Sequence, residues 1–80
     1  MYYIIYSSPF GSELYFKKRS GLNYIFTGCN VSANWYKSFN GALKAHNDIL
    51  DNTYLDSRYL NVFEVPAYLL DAKGVQKCGK

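Results

Sequence analysis

Hydrophobic and polar positions along the chain change their period several times, and each change marks an element. Tyr2-Tyr3-Ile4-Ile5-Tyr6 is β-branched or aromatic throughout, with no helix cap before it and a turn-like Ser7-Ser8-Pro9-Phe10-Gly11-Ser12 behind it. That run reads as a strand apolar on both faces, hence a central one. Glu13-Leu14-Tyr15-Phe16-Lys17-Lys18 alternates, which sets Leu14 and Phe16 on one face and Glu13, Tyr15 and Lys17 on the other. Ser20-Gly21 signals a hairpin turn, and Asn23-Tyr24-Ile25-Phe26-Thr27 makes a third strand ending at Gly28. The three segments predict an antiparallel meander.

The period then shifts to that of a helix. Behind Ser38, a good N-cap, Phe39, Ala42, Leu43, His46, Ile49 and Leu50 recur at spacings of three and four and so form one apolar stripe. Asn40, Lys44, Asn47, Asp48 and Asp51 are expected on the opposite side, with Asp51-Asn52 ending the helix. Gly41 costs about 1 kcal/mol of helix propensity relative to alanine, so the helix must draw its stability from docking on the sheet. A polar connector carrying isolated Tyr54, Leu55 and Tyr59 leads to a fourth strand, Leu60-Asn61-Val62-Phe63-Glu64-Val65, which Pro66 either ends or confines to an edge. Ala67-Tyr68-Leu69-Leu70 is compatible with a short strand or a helical turn, and a frayed tail is expected from residue 73 to 80. The expectation is one α+β domain over residues 1–80, β-β-β-α-β, with one helix packed on one face of a small antiparallel sheet and the other face partly open to solvent.

Composition sharpens this picture in one respect. With 80 residues the chain holds a single core, and 49% hydrophobic content is enough to fill it. Nine of its fifteen aromatics are tyrosine, a residue that gives a ring to a core or an interface while keeping a hydroxyl for water or a partner. The net charge of +3 is mild, and Lys17, Lys18 and Arg19 form the one cluster of like charge. Acidic residues are few and scattered, so an array of carboxylates imitating DNA is excluded.

Little in the chain points to catalysis. His46, the single histidine, sits on the apolar helical stripe, where packing or a boundary hydrogen bond explains it better than acid–base work. Cys29 and Cys78 are too few and too far apart, with one histidine, for a zinc site, and no glycine spacing matches a phosphate loop. No catalytic residue, metal or cofactor is expected. Without a secretory signal at the N-terminus, reduced thiols in a cytoplasm are the expectation, and no apolar run is long enough to span a bilayer.

Binding is the remaining class. Tyr15 and Lys17 share a face of the second strand, Tyr24 and Phe26 share a face of the third, and Lys18-Arg19 lie near the turn between them. Stacking rings beside phosphate-binding cations would hold single-stranded nucleic acid, although the glycine-rich aromatic signature of an RNA-recognition motif is missing. Trp35 and Tyr36, followed by Lys37, precede the helix. Adjacent rings on an extended backbone cannot both point inward, so one is expected under the helix while the other is a candidate anchor, although structural use of both is the favoured reading in a domain with few large residues to spare. The candidate partner-binding residues are therefore Tyr15, Lys17, Lys18, Arg19, Tyr24, Trp35, Tyr36 and Lys37.

The opening Tyr3-Ile4-Ile5, the aromatic meander, and Ser32-Ala33, Trp35-Tyr36-Lys37-Ser38-Phe39 and Ala42 at the helix start form a layout that resembles small phage-encoded proteins, including some anti-CRISPR proteins. The likeness covers roughly the first fifty residues and is architectural. It implies a mode of action: stoichiometric binding, as monomer or homodimer, that blocks a host protein or defence complex in the bacterial cytoplasm. A single-stranded nucleic-acid-binding accessory domain is the alternative.

Overall fold

A computed structural model describes residues 1–72; the tail expected to fray lies outside the described residues. The elements are β1 (Tyr2–Ser7), β2 (Glu13–Ser20), β3 (Asn23–Thr27), a 3-10 turn (Asn30–Ser32), α1 (Phe39–Asn52), β4 (Leu60–Glu64) and α2 (Ala67–Ala72). The four strands form one antiparallel sheet in the order β3-β2-β1-β4, so β1 is central, as its two apolar faces require. Ala67-Tyr68-Leu69-Leu70, compatible in sequence with a short strand or a helical turn, is helical as part of α2, with the amides of Leu69 and Leu70 directed at the Pro66 carbonyl.

Helix α1 packs across one face of this sheet. Ser38 caps it by accepting a hydrogen bond from the Gly41 amide at 3.1 Å. A methyl group on residue 41 would lie 3.2 Å from that capping oxygen, which gives the helix-weakening glycine a local reason. Ala42 and Ile49 are fully buried, and Ile49 joins Ile4, Phe16 and Leu60 in a cluster on this side. Phe39, expected on the buried stripe, is instead 47% exposed and meets the Tyr2 ring edge-on at 5.7 Å. Asp48, expected in solvent, turns toward β2 and β3.

The opposite face is not left open along its whole length. Tyr3 and Ile5, which alternate with Ile4 along β1, are buried there with Ala33, Val65 and Leu69, and Trp35 and Tyr15 pack against them. The cover comes from three short pieces: the 3-10 turn, the extended segment behind it, and α2. A β-bulge between Phe16 and Lys18 makes room for that segment. Registered pairing of β2 with β1 extends only over Tyr15–Glu13 and Ile5–Ser7. Into the gap beyond comes residue 34, whose amide reaches the Phe16 carbonyl at 3.0 Å, while Tyr36 and Tyr2 exchange two backbone hydrogen bonds of 2.7 and 2.8 Å. Because the inserted backbone is extended, Trp35 falls on the far face and Tyr36 on the helix face.

Candidate functional site

The β2–β3 hairpin and the end of α1 together build a concave surface. The hairpin loop is Gly21-Leu22, between the paired residues Ser20 and Asn23. Gly21 has φ +61°, as the first central position of a tight two-residue hairpin favours, and this throws Leu22 outward to 89% exposure. Beyond the loop, Tyr24 and Phe26 face α1 and pack around Phe16, with ring centroids 6.3 and 5.6 Å from it. On the α1 side, Thr53 donates to the Ile49 carbonyl at 2.7 Å and accepts from the Leu55 amide at 3.3 Å. That turn seats Leu55 inward and leaves Tyr54 fully exposed. The result is a largely apolar groove of about 450 Å³, with Tyr24, Phe26 and Leu55 inside and Leu22, Asn23, Thr53 and Tyr54 around them.

A shared carboxylate fixes one wall. Oδ2 of Asp48 accepts from the Tyr24 hydroxyl at 3.1 Å and from Nη1 of Arg19 at 3.3 Å, and Arg19 also reaches the Gly21 carbonyl at 2.9 Å. The Arg19 guanidinium lies over the Tyr24 ring, 5.1 Å from its centre. Burial, and then the hydrogen bond to Asp48, raise the Tyr24 phenol above its ordinary pKa, with Arg19 pulling the other way.

The bulge decides which cations belong to this wall. Simple alternation from Phe16 would put Lys18 on the helix side and Arg19 on the far side. With Lys17 as the extra residue, Lys18 pairs with Ile25 and Arg19 with Tyr24, so the two exchange faces. Lys17 and Lys18 are exposed on the far side, and among the described residues neither joins an ion pair. Of the residues singled out in the sequence, Arg19 and Tyr24 therefore meet, whereas Tyr15 is on the opposite face from Tyr24. Tyr15 packs on Tyr3 with ring centroids 5.3 Å apart, and burial followed by the nearby Glu13 carboxylate raises its phenol pKa. Tyr15 thus lies with Lys17 and Lys18 on the far side, packed against the cluster there, while Tyr24 and Phe26 lie with Arg19 on the helix side.

Trp35 and Tyr36 both serve the fold. The Trp35 indole donates to the Asn30 carbonyl at 3.0 Å within the far cluster, and Tyr36 packs beneath α1, where burial raises its phenol pKa. Lys37 is exposed beside the helix cap. The groove residues Leu22, Thr53, Tyr54 and Leu55 were not among those singled out. Their signal was faint: large apolar side chains in a turn and in a polar connector, where solvated residues are the norm.

His46 binds the Leu60 carbonyl through Nε2 at 2.7 Å, and its Nδ1 lies 3.2 Å from Oδ1 of Asn47. It is a boundary group of α1, hydrogen-bonded to β4. Cys29 is disulfide-bonded, which corrects the expectation of a reduced thiol; Cys78 lies outside the described residues. Among the described residues no three His, Cys, Asp or Glu side chains are grouped to hold a metal ion, and no helix is long and apolar enough to cross a membrane. All six acids and six of the nine cations fall within residues 1–72, so the formal surplus of +3 comes from Lys73, Lys77 and Lys80 alone. Comparison of the chain with models of known families, with curated proteins and with solved structures finds no match to any of them.

Proposed function

We propose that this protein works by binding another protein and blocking it, without chemistry of its own, in the manner implied by its resemblance to small phage-encoded inhibitors of host defence. One observation carries the reading: an apolar groove lies beside a sheet edge that no other strand among the described residues covers, and is flanked by Leu22 and Tyr54, two large side chains left almost wholly in water. A side chain that hides no surface in the free protein contributes little to folding and is available to anchor a partner. The mild net charge of +3 favours a protein partner over nucleic acid, whose affinity rests on cations.

The test is affinity capture from bacteria expressing the tagged protein, beside the double variant Leu22→Glu, Tyr54→Glu. Wild type should retain a host protein in stoichiometric amount, and the variant, still folded by circular dichroism, should not. Capture of single-stranded DNA or RNA instead, sensitive to salt and lost on Lys17→Glu with Lys18→Glu, would give the nucleic-acid reading the field.

A further inference from the structure

Resting on that reading, we propose that the outer edge of β3 is a strand-docking site, and that it takes an extended segment of the partner protein in which apolar and acidic side chains alternate.

Among the described residues the edge itself is open. Strand β3 pairs with β2 on one side only, and among the described residues no backbone hydrogen bond from Asn23–Thr27 reaches any other segment. The tight hairpin closes on Ser20 and Asn23 as a hydrogen-bonded pair, and antiparallel alternation then turns the amides and carbonyls of Tyr24 and Phe26 away from β2. Edge strands are usually blunted by charge, proline or a covering group. Asn23-Tyr24-Ile25-Phe26-Thr27 contains no charge and no proline. At the other edge of the sheet, by contrast, β4 carries Glu64, is followed by Pro66, and has its Leu60 carbonyl taken by His46.

The two flanks of β3 select the occupant. A strand added beside Tyr24 and Phe26 alternates its side chains between the two faces of the extended sheet. On the helix side they enter the apolar groove between β3 and residues 53–55. On the far side they lie next to Ile25, with Lys18 paired across from Ile25 and Lys17 in the adjacent bulge. Two interstrand spacings, about 10 Å, separate β2 from the added strand. A lysine and a glutamate extending toward one another over Ile25 span that distance, and among the described residues neither lysine joins an ion pair. Acidic residues at alternate positions thus meet cations while the residues between them meet rings. Single-stranded nucleic acid needs rings free to stack beside unpaired cations, whereas Tyr15, on the face of Lys17 and Lys18, packs against Tyr3, and Arg19, beside Tyr24, is paired with Asp48. A second copy pairing through its own β3 would bring no acid to Lys17 and Lys18.

The test uses isotope-labelled protein with two acetylated ten-residue peptides, one alternating valine with glutamate and the other valine with lysine. The glutamate peptide should shift the amide resonances of residues 22–27 and protect the Tyr24 and Phe26 amides from hydrogen exchange. Lys17→Glu with Lys18→Glu should weaken it about tenfold and make the lysine peptide the better ligand. Leu22→Glu with Tyr54→Glu should abolish binding of both. Equal binding of the two peptides, protection of these amides by a ten-residue oligothymidine, or their protection in the free protein through self-association would each overturn the proposal. A captured host protein that an excess of the glutamate peptide fails to displace would overturn the edge assignment and leave the general reading standing; failure to capture any protein would overturn both.

Discussion

The two faces of the sheet are covered by different means. On one side a single fourteen-residue helix supplies the cover, and Ile49, at 0% exposure, meets Ile4, Phe16 and Leu60 through a contiguous stripe. On the other, a three-residue turn, an extended insert and a six-residue helix supply it in fragments, around Tyr3, Ile5, Ala33, Val65 and Leu69. A helix of fourteen residues is near the length at which an isolated helix is marginal, while a single short turn has no stability apart from what it packs on. The helix side should therefore behave as one cooperative layer and the far side as a cover that loosens piece by piece.

Substitutions can break this contrast in graded fashion. Ile49→Ala should have the largest effect, about 4 kcal/mol, because a fully enclosed site cannot collapse around the missing atoms. Urea unfolding would show it as a lower midpoint at unchanged slope, and a loss under 1 kcal/mol would mean that the helix side is not the rigid layer described. Leu69→Ala, on a short element able to settle inward, should cost about 2 kcal/mol. Its signature is spatial: hydrogen exchange should quicken around residues 30–36 and 65–70 while α1 amides keep their protection. Ser38→Ala removes the bond to the Gly41 amide and should cost about 1 kcal/mol, with faster exchange confined to the first turn of α1.

The smallest effect is invisible at neutral pH. Tyr3 and Tyr15 on the far side, and Tyr24 and Tyr36 on the helix side, all have phenol pKa values raised first of all by burial. The folded chain holds these protons more tightly than the unfolded one. Their stabilisation is complete below the unfolded phenol pKa of about 10 and is lost as pH rises through the higher folded values. Urea midpoints should be level up to about pH 9 and then decline, in step with the tyrosinate absorbance. A midpoint that rose in that range would contradict the burial of these rings.

What the sequence made legible follows the same division. Strands and α1 were readable because a period of two or of 3.6 is written in consecutive residues, and Ser38, Gly21 and Pro66 punctuate them. The far cover has no period. Its placement depends on the Phe16 carbonyl accepting from residue 34, eighteen positions away, and nothing in Asn34-Trp35-Tyr36 records that partner. The adjacency of Trp35 and Tyr36 did show that they would part to opposite faces, though both are used by the fold. For the candidate site the obstacle was a single inserted residue. Arg19 and Tyr24 were each conspicuous, but the bulge at Lys17 sets which of Lys18 and Arg19 shares a face with Tyr24, and a slip of one position reverses the answer.

The central position of β1 has a consequence for how the molecule comes into being. Tyr2 aligns with Glu64, about sixty residues downstream, whereas β2 and β3 close through two residues of loop. On a ribosome, the hairpin and α1 are complete while one flank of β1 still waits for β4. That greasy ribbon is unprotected for most of translation, and closing so large a loop late is the slow step expected to govern the folding rate.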